Sequence, residues 1–247
     1  LHLSIRRQRQ MCIRDRACDA LDGIEDGILQ NPLACNFEPS SIQCPVGTDN
    51  SSCLTEKQVS AVEKIWSGVK TSDGDLIYPG LDPGGEADPG GWGRWVTGAE
   101  PFTSLHWLGG EGFFRWFVFN DPDWDFTNFD FDKDLEYALQ KVGNSVDSNN
   151  PDLRRLRDNG SKLIVYHGWS DPDISPVASI NYYESVVDTI ADDMRASSYS
   201  TALNRTQNFF RLFMVPGMGH CSGGPGPDRF DALSALENWV ENGIAPD

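Results

Sequence analysis

Long hydrophobic runs are missing from this 247-residue sequence. Stretches such as Leu163–Tyr166 and Leu212–Val215 fall far short of the roughly 20 apolar residues a membrane-spanning helix needs, so no membrane segment is expected. Positive charge is also scarce. Lys and Arg total 20 against 37 Asp and Glu, a formal charge of −17. Such a surface repels a phosphate backbone, which excludes a nucleic-acid binder working through bulk electrostatics. The sequence has no CxxC pair, no HExxH zinc-hydrolase motif and no Gly-rich phosphate loop. It also lacks the G-x-S-x-G nucleophile elbow. Ser222 is no substitute, because no Gly stands two positions before it and it adjoins a candidate base, His220. There is no initiator methionine and no charged-then-apolar leader, so the sequence is expected to begin partway through a gene product.

What is present is unevenly distributed. Residues 1–16 carry five Arg and one Asp, or +4, leaving −21 on the remaining 231 residues. The string Ser4–Arg16 resembles translated sequencing-adapter read-through, and residues 1–16 are expected to be a non-native segment. Of six cysteines, four (Cys18, Cys35, Cys44, Cys53) fall within 36 residues among polar, Pro-containing loops. Without a CxxC pair or a nearby His, zinc is poorly supported. Local disulfides Cys18–Cys35 and Cys44–Cys53 are the simpler reading, and they imply an oxidising compartment, secreted or periplasmic. Cys221 is left over, its partner expected outside this sequence.

Thr55–Val69 has apolar residues at helical spacing, with Thr55 as N-cap and Gln58 at the capping-box position. Residues 78–93 are rich in Gly and Pro and read as loop. Residues 113–131 hold nine of the 27 aromatic residues, either as a pocket lining or as plain core. Arg115 and Phe119 in this run are candidates to meet a substrate carboxylate and ring, the alternatives being a snorkelling Arg and a core Phe. Phe131–Val142 predicts a helix. From residue 159 the pattern changes: a short apolar strand at Ser161–Tyr166, a helix at Pro176–Met194, a second strand at Phe209–Val215 and an amphipathic helix at Asp228–Asn242. Phe230, Leu233, Leu236, Trp239 and Val240 share one face of that last helix. Strand–helix–strand–helix order with buried parallel strands is the signature of an α/β fold.

Two loops follow the two strands, where open α/β sheets place their chemistry. The first holds Asp171 and the second His220, 49 residues on. That order fits the acid and base of a Ser…Asp…His triad, although one Asp and one His are equally compatible with ordinary surface groups. The stretch Cys18–Ile28 places Asp19, Asp22 and Asp26 at intervals of three and four, with two Gly. Hard oxygen ligands on a glycine-kinked loop suit Ca²⁺, a solvated acidic turn being the alternative; a disulfide at Cys18 would favour calcium by fixing the loop's entry.

These motifs carry a resemblance. The segments CDALDGIEDGIL at 18–29, CLT at 53–55 and KTSDG at 70–74 are similar to those of the tannase/feruloyl esterase family. So are IYPG at 77–80, FDFDKD at 129–134, HGWSD at 167–171 and PGMGHC at 216–221. That family of secreted serine esterases includes the mono(2-hydroxyethyl) terephthalate hydrolases. The resemblance implies an α/β-hydrolase fold interrupted by a lid with a structural calcium. Residues 17–158 would be the loop-rich lid domain, and residues 159–247 the C-terminal part of the hydrolase domain. It further implies that Asp171 and His220 are triad acid and base, and that His167 borders the substrate. Asp19, Asp22 and Asp26 would bind calcium through side chains, Ile24 and Ile28 through carbonyls. Cys221 would pair with a Cys just before the nucleophilic Ser. The expected activity is hydrolysis of a small aromatic ester such as a feruloyl, galloyl or terephthaloyl ester. Because the nucleophile half is not in the sequence, this chain alone is expected to be inactive. A reading from another class is a secreted, calcium-dependent binding module with residues 113–131 as its ligand face.

Overall fold

A computed structural model describes residues 18–50, 52–86 and 88–247. The expectation for residues 1–16 lies outside the described residues.

The first half of the chain is loop-rich and stapled. Short 3₁₀ turns at Asp19–Asp22, Pro32–Ala34 and Pro39–Ile42 are tied by the disulfides Cys18–Cys35 and Cys44–Cys53. Helix α1, Glu56–Ser67, starts where Thr55 and Gln58 form the expected capping box. It stops at Gly68, whose φ of 76° is left-handed and whose α-carbon faces Tyr78 so closely that an added Cβ would lie 2.4 Å from the Tyr78 carbonyl oxygen. Val69 therefore leaves the helix in which its spacing placed it. It pairs in β1, Val69–Lys70, antiparallel to β2, Leu76–Tyr78. Leu54, Val59, Val62, Leu81 and Trp92 form the first core.

The aromatic run continues helix α2, Leu105–Gly112, as a wider π-helical segment, Phe113–Phe119, which Asn120 ends in a left-handed conformation. The run packs largely on itself. Phe114 packs on Phe129 and Phe119 stacks on Trp124 and Tyr137, at centroid distances of 4.7, 5.5 and 5.7 Å, whereas Trp116 and Phe117 face outward. The helix expected at Phe131–Val142 forms as Lys133–Ala138 followed by a π turn, Leu139–Gly143.

In the second half, β3 (Leu163–Gly168) and β4 (Phe210–Val215) pair in parallel, Leu163 opposite Phe210 through Gly168 opposite Val215. A parallel pair needs a long crossover. Here it consists of α3, Pro176–Met194, and α4, Tyr199–Gln207, the latter capped by Ser198. Val186, Ile190, Phe209 and Phe210 form the second core, and burial of each contributes roughly 1.5–3 kcal/mol. Leu153 and Leu156 pack against it, so the packing of this half reaches back across the expected boundary at residue 158. The strands are only half-buried, not the fully buried pair their composition predicts. Among the described residues this sheet has two strands, and Tyr166 is left exposed, with the ring of Phe230 edge-on to it at 4.6 Å. The last helix, α5, begins at Ala232 instead of Asp228, because Asp231 takes the N-cap and accepts from the Ser234 amide at 2.9 Å. Of its expected face, Trp239 is buried while Leu233 and Val240 are exposed, since the helix rests on the sheet along its Trp239 side.

Candidate active site

Because β3 and β4 are parallel and in register, both chains leave the sheet at the same end. The exiting loops are bonded to each other: Trp169 N donates to Val215 O at 2.9 Å and Ser170 N to Met218 O at 3.0 Å. A Cβ on Gly168 would lie 2.1 Å from the Met218 carbonyl oxygen, so only glycine lets the loops approach this closely. The arrangement sets Asp171, buried, beside His220, which lies at the protein surface.

His220 Nδ1 lies 3.0 Å from Asp171 Oδ2. Asp171 Oδ1 accepts from the backbone amides of Asp173 and Ile174 at 2.8 and 3.0 Å. Burial by itself raises the Asp171 carboxyl, but hydrogen bonds from His167, from the two amides and from His220 outweigh it and hold the group below its ordinary value. An ionised carboxylate can only accept, so the imidazole proton sits on Nδ1 and the Nε2 lone pair is available to take a proton. The His220 ring meets Trp95 edge-on at 4.8 Å. A cavity of about 520 Å³ opens beside it, lined by Arg94, Trp95, Pro172, Gly219 and His220 among others.

Two participants carried no signal in the sequence. Asp173 stands between His106, at 2.9 Å from Nε2 of that ring, and His220, at 3.7 Å. His106 lies on α2, so this contact joins the first half of the chain to the loop after β3. Trp95 belongs to a short helix, Trp92–Trp95, whose only sequence cue is its aromatic content.

The other candidates lie elsewhere. His167 is on β3 with both ring nitrogens bonded inside the protein. Arg115 and Phe119 do not line the cavity beside His220. Arg115 pairs with Glu111 and the Pro122 carbonyl, and Phe119, partly buried, sits in the aromatic stack. In the acidic loop, Asp19 Oδ1 accepts from the amides of Asp26 and Gly27, Asp22 from those of Ile24 and Gln30, and Asp26 from that of Ile28. The donors are of the hard-oxygen kind calcium takes, but among the described residues no three His, Cys, Asp or Glu side chains are gathered around one point as a metal shell. Cys221 is an exposed thiol in a left-handed conformation, φ 61°.

The chain is similar to known proteins. The family model "Tannase and feruloyl esterase" matches residues 12–247, reaching into the basic segment. An esterase of Xanthomonas campestris is 38% identical over 93% of this chain and 44% of its own length. A probable feruloyl esterase B of Emericella nidulans is 34% identical over 94% of this chain and 43% of its own. Feruloyl esterase B from Aspergillus oryzae superposes with a TM-score of 0.80 at 28% identity, covering 99% of this chain and 48% of that one. Tannin acyl hydrolase from Aspergillus niger gives 0.79 at 25%, covering 98% and 47%. The chain thus spans less than half the length of these relatives.

Proposed function

The chain belongs to the tannase and feruloyl esterase family, and on that premise we propose that it carries the acid and base of a serine-type carboxylic ester hydrolase acting on small aromatic esters. The observation that carries this reading is the 3.0 Å contact between Asp171 Oδ2 and His220 Nδ1 at the ends of two adjacent parallel strands. No G-x-S-x-G elbow occurs in the sequence and the relatives are more than twice as long, so the proposal gives the serine to a segment outside these 247 residues. His220 Nε2 takes the serine proton as the hydroxyl attacks the ester carbonyl, then returns it to the leaving alcohol. Water repeats the cycle on the acyl-enzyme. Asp171 keeps the imidazole in the Nδ1–H tautomer and stabilises its cation. Trp95 and Arg94 on the cavity wall offer an aromatic face and a cation to the substrate.

The test is covalent. In the full-length protein, a fluorophosphonate should label one serine and stop hydrolysis of feruloyl and galloyl esters in parallel. Hydrolysis that persists after complete labelling would overturn the serine assignment. The two disulfides support a secreted or periplasmic setting, and no helix among the described residues is long and apolar enough to cross a membrane.

Calcium on the loop of residues 19–28 is part of the same proposal. It is supported by three hard carboxylates, one of them (Asp19) buried, on a loop whose entry the Cys18–Cys35 bridge fixes. A structural ion at 100 times its Kd adds about 2.7 kcal/mol. EGTA should therefore lower the melting temperature of the full-length protein, and added Ca²⁺ should restore it. An unchanged melt counts against the ion.

A further inference from the structure

Asp171 Oδ2 serves two histidines. His220 Nδ1 lies 3.0 Å from it, and His167 Nε2, from inside β3, lies 3.2 Å from the same oxygen. The protonation of His167 follows from its neighbours. Its Nε2 also faces the carbonyl oxygen of Ile174 at 3.2 Å, and neither a carbonyl nor an ionised carboxylate can donate. Nε2 therefore carries the hydrogen and shares it between the two acceptors. In the neutral ring Nδ1 is then an acceptor, and it lies 2.7 Å from the hydroxyl of Ser179 in the first turns of α3, which donates to it. The side chain of His167 is only 11% exposed, and both of its polar atoms are engaged within the protein.

We propose that Ser179 and His167 form a positioning dyad for the triad acid: Ser179 selects the Nε2–H tautomer of His167, and that N–H holds Asp171 Oδ2 toward His220. This assigns His167 to orienting Asp171, not to bordering the substrate. With His220 and the two amides it gives the buried carboxylate four N–H donors, two on each oxygen. Without His167, Oδ2 keeps His220 as its one donor while the amides of Asp173 and Ile174 still hold Oδ1, so the carboxylate is held less firmly about its χ2 bond and the imidazole with it. The proposal rests on the esterase reading for its kinetic test and is independent of that reading for its spectroscopic one.

In the full-length enzyme, His167→Leu should lower kcat by about 100-fold, the scale of a misplacement of about 1 Å, with KM close to the parent's. His167→Gln, which can offer an amide N–H near the Nε2 position, should recover most of the loss. Ser179→Ala should lower kcat less than His167→Leu does, and Ser179→Ala combined with His167→Leu should be no worse than His167→Leu alone, because the hydroxyl acts only through the ring. Additive losses, no recovery in His167→Gln, or a rise in KM with kcat unchanged would each overturn the dyad. Proton NMR of the same proteins reads Asp171 directly. The His220 Nδ1–H should give a strongly downfield resonance in the parent and in His167→Gln, broadened or shifted upfield in His167→Leu. A resonance unmoved in a folded His167→Leu protein would overturn the proposal whether or not the parent hydrolyses esters.

Discussion

Replacement of His220 by alanine in the full-length enzyme is expected to lower kcat for aromatic esters by about 10⁴- to 10⁶-fold, the range seen when a triad base is removed. The size follows from the two jobs the ring performs. In the proposed mechanism it removes the proton from the attacking hydroxyl and delivers it to the departing alkoxide. Stability should change little, because the side chain lies in a surface loop and is 30% exposed. Truncation leaves a shallow notch there, with no internal void. Asp171→Asn is a useful companion. It keeps the shape but presents an amide where Nδ1–H needs an acceptor, which favours the wrong tautomer and should cost about 10⁴-fold. Ester turnover at the parental rate in a His220→Ala protein of parental melting temperature would remove His220 from the reaction and the proposed Asp171–His220 pair with it.

Gly168→Ala is expected to have the next largest effect, and on two readouts together. The added methyl would sit 2.1 Å from the Met218 carbonyl oxygen and 2.9 Å from that of Gly219, both backbone atoms that cannot swing aside as a side chain tip could. Relief requires the loop after β4 to move away from the loop after β3, stretching the Ser170–Met218 and Trp169–Val215 hydrogen bonds. Overpacking of this kind costs about 1–3 kcal/mol. Because His220 follows Met218 by two residues, the same displacement separates it from Asp171, and about 100-fold in kcat should be lost with it. Chemical denaturation and steady-state kinetics measure the two separately. A variant with parental stability and parental kcat would mean that the two loops do not depend on this contact.

How far the sequence foretold these features depends on how local each one is. The capping box at Thr55 and Gln58, the proline that starts α3 and the apolar strands are written in neighbouring residues, and all of them form. Helix α4 was not anticipated, although Ser198 caps it, because its residues are mostly polar and its buried positions, Ala202 and Thr206, are small. Asp171 and His220 were legible as candidates because each follows an apolar strand; their contact is the work of the ladder between those strands. The links of His106 to Asp173 and of His167 to Ser179 had no such cue. The first spans 67 positions, and the second depends on α3 folding back over β3. For Arg115 and Phe119 the residue types were right for ligand contact, but the π-helical turn aimed them into a local cluster.

The parallel ladder also decides where this protein can absorb change. Asp171 and His220 are level because six residue pairs from Leu163/Phe210 to Gly168/Val215 lock the strands, so a slip of one position would move one of them about 3.3 Å past the other. What lies between the strands bears no such constraint. The turn at 195–198 joining α3 to α4 lies within the crossover and outside both strands, so its length can vary without altering the register. Added sequence, whether acquired in evolution or inserted as a tag, should be tolerated there. A single deletion inside either strand should not.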